Sequence, residues 1–483
     1  MTQSDYDITI IGGGSGGLTA ARIAASLGAN TLLIDKERLG GDCLYSGCVP
    51  SKSLLHIARV AHSLKEASDL GYFSVQPDID MKKVAASIQT VIGHVHDEED
   101  VYVKGVTVKF GTVTFTSPTT LLLNNETITT SKTIIATGSH PTIPAIKGLA
   151  DVGYLTNETV FQLTTLPKSL VVVGGGPVGV ELGQALARLG VNVTLLQGPA
   201  RLLPKEDPEV SATIANVLQS EGITLSLNTR VVEASRQGDS KFLLATQDGQ
   251  SLVFEADEIL IASGRIPNVA HLNLEAAGIR YTDKGIQVND YLQTESETIF
   301  AIGDVIGGYL FTHVAAFQAS IAARNALLSI GKKKVDYRVV PWCIFTDPEV
   351  ARVGLTPEQA EREHAHSRTV TVPLQAVDRA QTEHATTGFI KFVLAGKKDE
   401  IIGAHLVGVH AGESLGEIAL AMQHHMTISG ILATIHPYPT YSTGVQQAAF
   451  EAYLSSASAR TNRTVVHTML RLNRWLHRLF RTR

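Results

Sequence analysis

Little in this 483-residue chain suits a secreted or membrane-spanning protein. Its three cysteines are too few for a secreted disulfide framework, and a close pair among them is better suited to a reducing compartment. No apolar run reaches the roughly 18 residues that a spanning helix needs. The opening MTQSDYDITIIGGG runs into an apolar strand without a basic n-region, so no secretory leader is expected and the expected setting is cytoplasmic. Residues 457–483 hold no Asp, Glu or Lys but seven arginines, which leaves 34 basic against 46 acidic residues elsewhere, a net −12. Such a body has no nucleic-acid footprint. Hydrophobic residues make up 44%, and the 42 glycines are scattered, which excludes collagen-like and disordered chains. At this length two to four domains are expected.

The stretch starting at Ile8, ITIIGGGSGGLTAARIAASLGANTLLID, recurs in form at Leu170 as LVVVGGGPVGVELGQALARLGVNVTLLQ. Each reads as strand, Gly-x-Gly-x-x-Gly turn, helix and strand. Gly12 and Gly174 permit the tight turn, Gly14 and Gly176 admit a diphosphate, and Gly17 and Gly179 let helix meet strand. The diphosphate would sit on free N–H groups at the helix N-terminus. Asp35 closes the first unit with a carboxylate suited to a ribose hydroxyl, whereas Gln197 closes the second without one. Two dinucleotides that meet suggest electron transfer from a nicotinamide to a flavin. Gln197 neither repels nor attracts a 2′-phosphate, so the donor is expected to be NAD(P)H.

Between these units lies GGDCLYSGCVPSK, residues 40–52. No second Cys or His pair follows Cys43 and Cys48 at zinc-ligand spacing, so no metal site is expected. A permanent staple has no use in a reducing setting, which leaves a working dithiol/disulfide. The run Gly40–Lys52 matches G-G-x-C-x-x-x-G-C-x-P-S-K, the signature of the class I pyridine nucleotide–disulfide oxidoreductases, and the chain resembles that family over nearly all of its body. TIIATGSHP (133–141), LIASGRIPN (260–268), IFAIGDV (299–305) and FTDPEVARVGLT (345–356) resemble its later segments in order.

The resemblance implies an α/β fold, with two Rossmann-like dinucleotide-binding domains (FAD and NAD(P)) and a C-terminal α+β dimerisation domain. The expected parts are residues 1–150 (FAD, first segment), 151–268 (NAD(P)), 269–338 (FAD, second segment), 339–456 (dimerisation) and 457–483 (a basic tail). Cys48 would be the thiol nearer the flavin and Cys43 the thiol that meets the acceptor. Lys52 would lie near the flavin and pair with Glu181. The family pattern also places Lys36, Gly41, Val113, Thr137, Gly138, Asp304 and Thr312, together with Val231, Gly264 and Arg265, along the cofactors. Cys343 reads as a small buried hydrophobe.

The pattern breaks near the C-terminus. Disulfide-reducing members read H-x-H-P-T-x-S-E there, but this chain reads HPYPTYST, 436–443. Tyr438 replaces the catalytic histidine and Thr443 the glutamate, leaving His436 as a candidate displaced base. A histidine would contribute roughly 10²–10⁴ in rate, whereas a tyrosine titrating at about 10 is a poor base at neutral pH. Mercuric reductases are similar at this point but carry a cysteine pair at their extreme C-terminus, which is absent here. Three readings follow: an enzyme acting on a soft metal ion, one acting on a protein-bound lipoyl disulfide, or a membrane-docked flavoprotein electron carrier or redox sensor that uses the tail to find a partner. In the tail, Val465, Met469, Leu472, Leu476 and Leu479 recur at helical spacing beside Arg471, Arg474, Arg478 and Arg481. This suits a membrane surface or an acidic partner.

Overall fold

The computed structural model describes residues 4–75, 78–97, 103–328 and 330–480. The chain forms two compact units, Met1–Leu202 with Leu218–Asp336, and Leu203–Val217 with Tyr337–Arg483. Among the described residues no helix is long and apolar enough to cross a membrane.

The first unit builds one architecture twice. Strands Thr107–Phe110, Thr31–Asp35, Tyr6–Ile11 and the end of Glu126–Ile135 run parallel, with Ile299–Ala301 beyond them. In the second half Thr224–Ser226, Asn192–Leu196, Ser169–Val173 and Glu258–Ile261 run parallel in the matching order. Each half adds a three-stranded antiparallel ribbon: Val113–Ser117, Thr120–Leu123 and the start of Glu126–Ile135, then Thr229–Gln237, Ser240–Gln247 and Gln250–Ala256. The parallel strands are near-continuous Ile, Leu and Val because both faces are buried, as Ile8, Ile10, Leu33 and Val172 illustrate.

The two glycine turns explain why the repeat is strict. A Cβ on Gly17 would stand 1.7 Å from the Gly12 carbonyl oxygen, and one on Gly179 would stand 1.8 Å from that of Gly174. Main chain therefore rests on main chain where each helix leaves its strand. The middle positions differ. A Cβ on Gly14 would meet only the Gly41 Cα, at 3.8 Å, and one on Gly176 would meet nothing within 4 Å. Helices Ser15–Ser26 and Pro177–Arg188 have no side-chain N-cap and no acid in the first turn. With no side chain capping the first turn and little beside Gly14 and Gly176, both turns fit a dinucleotide diphosphate.

The second unit carries a five-stranded antiparallel sheet ordered Pro341–Ile344, Glu349–Gly354, Glu400–Gly408, Phe389–Ala395, Ser367–Pro373. Helices Ala411–Gln423 and Ser442–Leu454 contribute Leu415, Ile418, Val445 and Ala448 to its core, around Phe392. The segment Leu203–Val217 joins this unit through charge. Asp207 Oδ2 accepts from Lys391 Nζ at 2.9 Å, the Lys205 carbonyl from Arg352 Nη1 at 2.7 Å, and Glu206 Oε1 from Trp342 Nε1 at 2.9 Å. His405, also buried here, is pushed down to about 4 by burial, with Arg352 adding to the effect.

The glycine geometry separates three alanine substitutions. Inserting a methyl at Gly17 costs about 1–3 kcal/mol, and Gly17→Ala should purify with reduced bound FAD. Gly179→Ala should keep its flavin but lose affinity for NAD(P)H. Gly176→Ala should unfold like the parent yet raise KM for NAD(P)H, as flavin absorbance, thermal unfolding and initial rates will check.

Candidate active site

The cysteine loop is assembled by backbone contact with the first glycine turn. Gly40 N–H donates to the Gly13 carbonyl at 2.8 Å, and Gly41, at φ +63°, lies so close to Gly14 that a Cβ would stand 2.7 Å from its Cα. A short helix, Gly41–Tyr45, ends at Ser46–Gly47, and a long one, Cys48–Asp69, begins. Gly47 makes the fold-back possible, since a Cβ there would lie 2.9 Å from both the Asp42 oxygen and the Cys43 Cα. Asn157 Nδ2 donates to the Ser46 carbonyl at 2.9 Å and pins the bend. Cys43 and Cys48 are thiols here, joined by a side-chain hydrogen bond.

That bond divides the pair electrically. Cys48 is lowered to about 6, chiefly by the hydrogen bond from Cys43, while burial works against ionisation. The Thr312 hydroxyl, 3.5 Å from Cys48 Sγ, and the charge of Lys52 also lower it. Its place as the first residue of a 22-residue helix suits a thiolate as well. Cys43 is pushed up, first by the same bond and then by burial. The pair is thus shifted in opposite directions, with Cys48 the more readily ionised sulfur. Lys52 Nζ meets Glu181 Oε2 at 2.8 Å, with Glu181 buried on the helix after the second glycine turn.

Segments distant in sequence close around this loop. Ser139–Pro141 pairs with Arg265–Pro267, joining TIIATGSHP to LIASGRIPN. Arg265 reaches Asp42 Oδ2 at 2.8 Å and Ser139 Oγ at 2.7 Å, and it lies 3.8 Å from Asp304. Ser139 Oγ donates to Asp304 Oδ2 at 2.6 Å. Burial raises Asp304, while Ser139 and Arg265 oppose the shift. Thr137 and Asn268 exchange hydrogen bonds at 2.8 Å. Gly138 and Gly264 both adopt positive φ beside them.

The two strand-end residues share one task. Asp35 Oδ2 accepts from Gly13 N–H and Gln197 Oε1 from Gly175 N–H, both at 2.7 Å and both across 22 residues. Asp35 Oδ1 also accepts from Glu37 and Arg38, so of its roughly four lone-pair sites one stays open to a ribose hydroxyl. Gln197 reproduces the structural bond without the charge, and its Nε2 donates to the Arg201 carbonyl at 3.3 Å. Lys36 is exposed. Val113 and Val231 are buried in hydrophobic clusters, which leaves only their main chain for a cofactor.

The C-terminal candidates diverge. His436 has a side chain only 3% exposed, with Nε2 2.9 Å from Glu417 Oε2 and Nδ1 3.0 Å from the Thr434 carbonyl. Neither ring nitrogen is left for a substrate. Tyr438 is 72% exposed, and its hydroxyl donates to Asp378 Oδ2 at 2.8 Å. Asp378 raises the phenol above its ordinary value. Tyr441 is buried against Glu383, and Thr443 bonds the Thr440 carbonyl. Asp42, Ser139, Asp378 and Glu417 escaped sequence reasoning. Of these Asp42, inside the cysteine motif, and Ser139, inside TIIATGSHP, lay in segments that the sequence had marked.

Comparison with known proteins settles the class. The family profile described as pyridine nucleotide-disulphide oxidoreductase matches residues 6–319, and the dimerisation domain of that family matches residues 340–449. The chain belongs to this family. It is an FAD-dependent pyridine nucleotide-disulfide oxidoreductase, its cofactors are FAD and NAD(P)H, and its dimerisation domain supports a homodimer. It is 35% identical to a mercuric reductase of Staphylococcus aureus over 92% of this chain and 82% of that one. It is 33% identical to a dihydrolipoyl dehydrogenase of Bacillus subtilis (strain 168), over 93% and 98%. The HOCl-induced flavoprotein disulfide reductase RclA of Escherichia coli superimposes with a TM-score of 0.82 at 29% identity, covering 92% of this chain and 99% of that one. Its Cu(II) complex gives a TM-score of 0.83.

Because Cys48 sits below the ordinary thiol value, its thiolate is present above about pH 6 and is lost as pH falls through that value. In reduced holoenzyme, the pH profile of alkylation and of thiolate absorbance should show a step near there. Lys52→Ala and Thr312→Val should each move the step upward.

Proposed function

We propose that this oxidoreductase delivers its electrons to a thiophilic metal ion held by Cys43 and Cys48. The observation that carries this reading is the fate of the base position. His436 is buried and bonded at both nitrogens, while Tyr438, exposed and raised by Asp378, keeps its proton. Reduction of a disulfide substrate expels a thiolate that needs a proton, and no residue of the 436–443 segment is free to supply and recover one at neutral pH. A metal ion brings no separate demand for a base, because any thiolate it sheds can take the proton that binding displaces from Cys43. On binding it takes both sulfurs as ligands, and the Cys43 proton passes to solvent or to a thiolate ligand that leaves the metal.

FAD, when bound, supplies the conversion of a hydride from NAD(P)H into an electron pair available at the cysteines. That pair reduces one Hg(II) to Hg(0), or two Cu(II) ions to Cu(I). In this reading Cys48 offers the ready thiolate and Cys43 the thiol nearer the acceptor. Lys52, held by Glu181, maintains positive charge beside Cys48, and Tyr438 of the second subunit offers a hydroxyl where related enzymes place a base. Residues 1–150 and 269–338 hold FAD, 151–268 the nicotinamide nucleotide, and 339–456 the dimer contact. The mercuric reductase relatives, and RclA with its Cu(II) complex, support a metal acceptor.

Anaerobic NAD(P)H oxidation by the holoenzyme, with thiol-complexed Hg(II), Cu(II) or lipoamide, tests the proposal. Turnover is expected with a metal ion and lost in Cys43→Ser, with lipoamide slower by roughly 10²–10⁴. Rapid lipoamide turnover without metal turnover would overturn it. Installing the base pair, Tyr438→His with Thr443→Glu, should raise lipoamide turnover by at least about tenfold.

A further inference from the structure

The last helix, Ala457–Phe480, takes no part in the chemistry above. It is 24 residues long, roughly 36 Å at the α-helical rise. Only its root is fastened: Asn462 Nδ2 bonds the Tyr453 hydroxyl at 3.1 Å, and Arg463 Nη2 the Leu454 carbonyl at 3.4 Å. Beyond Arg463, no side chain of this helix makes a hydrogen bond or ion pair to another element among the described residues.

The helix is divided lengthwise. Arg460, Arg463, His467, Arg471 and Arg474 follow at intervals of three and four and form one stripe. On the opposite side lie Val465, Met469, Leu472 and Leu476, with Trp475 on the flank between that face and Arg471. Met469, Leu472 and Trp475 are 59%, 53% and 57% exposed. Arg481 lies outside the described residues. None of Arg460, Arg463, Arg471 and Arg474 forms an ion pair among the described residues.

We infer that this helix lies flat on an anionic phospholipid surface, with its Val–Met–Leu face in the headgroup boundary, Trp475 at the edge of that face and its arginines level with the lipid phosphates. Charge complementarity selects that occupant. Residues 457–483 carry seven arginines and no acid, so a helical partner of the same sequence would find no acidic position with which to pair its flanking charges. Val465, Met469, Leu472 and Leu476 follow the spacing of a coiled-coil seam, but exposed Val466 on one flank and Trp475 on the other widen the apolar arc beyond one, as in interfacial helices. Arginine on nearly every turn prevents the helix from crossing the bilayer. The inference is independent of the acceptor.

The test uses full-length holoenzyme, sedimented with vesicles of phosphatidylcholine alone or mixed with phosphatidylglycerol, at low and high salt. Binding should require phosphatidylglycerol, weaken with salt, and shift Trp475 emission to the blue. At about five-fold per arginine, Arg471→Gln with Arg474→Gln should lower the partition coefficient about 25-fold. Flavin content and turnover in solution should stay unchanged, which shows that the variant folds. Absence of binding, or equal binding to neutral vesicles, would overturn the inference. So would lipid-free association of dimers into larger assemblies that Leu472→Asp abolishes, because the apolar face would then be covered by a second copy.

Discussion

Main chain meeting main chain is the constraint on which the first unit depends. Gly17 rests on Gly12, Gly179 on Gly174 and Gly41 on Gly14, and Gly47 folds against Cys43. Each contact excludes even a methyl group, so each sets a helix, a turn or a loop to within a few tenths of an ångström. The cysteine loop inherits its position from the first glycine turn through the Gly40–Gly13 hydrogen bond. The thiols are held in hydrogen-bond contact because backbone, rather than flexible side chain, determines where they stand.

The consequence is electrostatic asymmetry between two chemically identical groups. Cys48 begins a helix, faces Lys52 and Thr312, and receives the hydrogen bond; Cys43 gives it. A pair shifted in opposite directions divides its labour at neutral pH, one sulfur charged and the other protonated. Around it, Arg265 binds Asp42, Ser139 and Asp304 into one polar cluster. That cluster ties the cysteine loop to the segments that close the fold.

Much of this was legible in the sequence because the relevant constraints are local. The two glycine turns, the strand-helix-strand spacing and the Gly40–Lys52 motif are backbone devices, and a backbone device leaves its mark within a few residues. The strand–turn–helix–strand order of each repeat anticipated the parallel strands. What could not be read are contacts that span the chain. Asp42 with Arg265 joins positions more than 200 residues apart, and nothing near either one announces the other. His436 illustrates the same limit: the motif marked it as a candidate base, and only Glu417, on a separate helix, explains why it is buried and engaged. Gln197 was read as a lost carboxylate, but it keeps the bond to Gly175 that Asp35 makes to Gly13. The substitution removed a charge and preserved a scaffold.

The segment Leu203–Val217 lies in sequence between the two stretches of the first unit, yet it joins the second unit through Asp207, Glu206 and the Lys205 carbonyl. Lys391 and Arg352 are buried where these partners meet them, and a buried charge stripped of its partner costs about 3–5 kcal/mol. The C-terminal unit is therefore not a cassette. A fragment cut at the boundary near Tyr337 would lose the acids and the carbonyl that pair Lys391 and Arg352, and a chimera that borrowed this unit from a relative would have to borrow the Leu203–Val217 strip with it. Recombination within such a chain is constrained by a seam that does not coincide with any single cut in the gene.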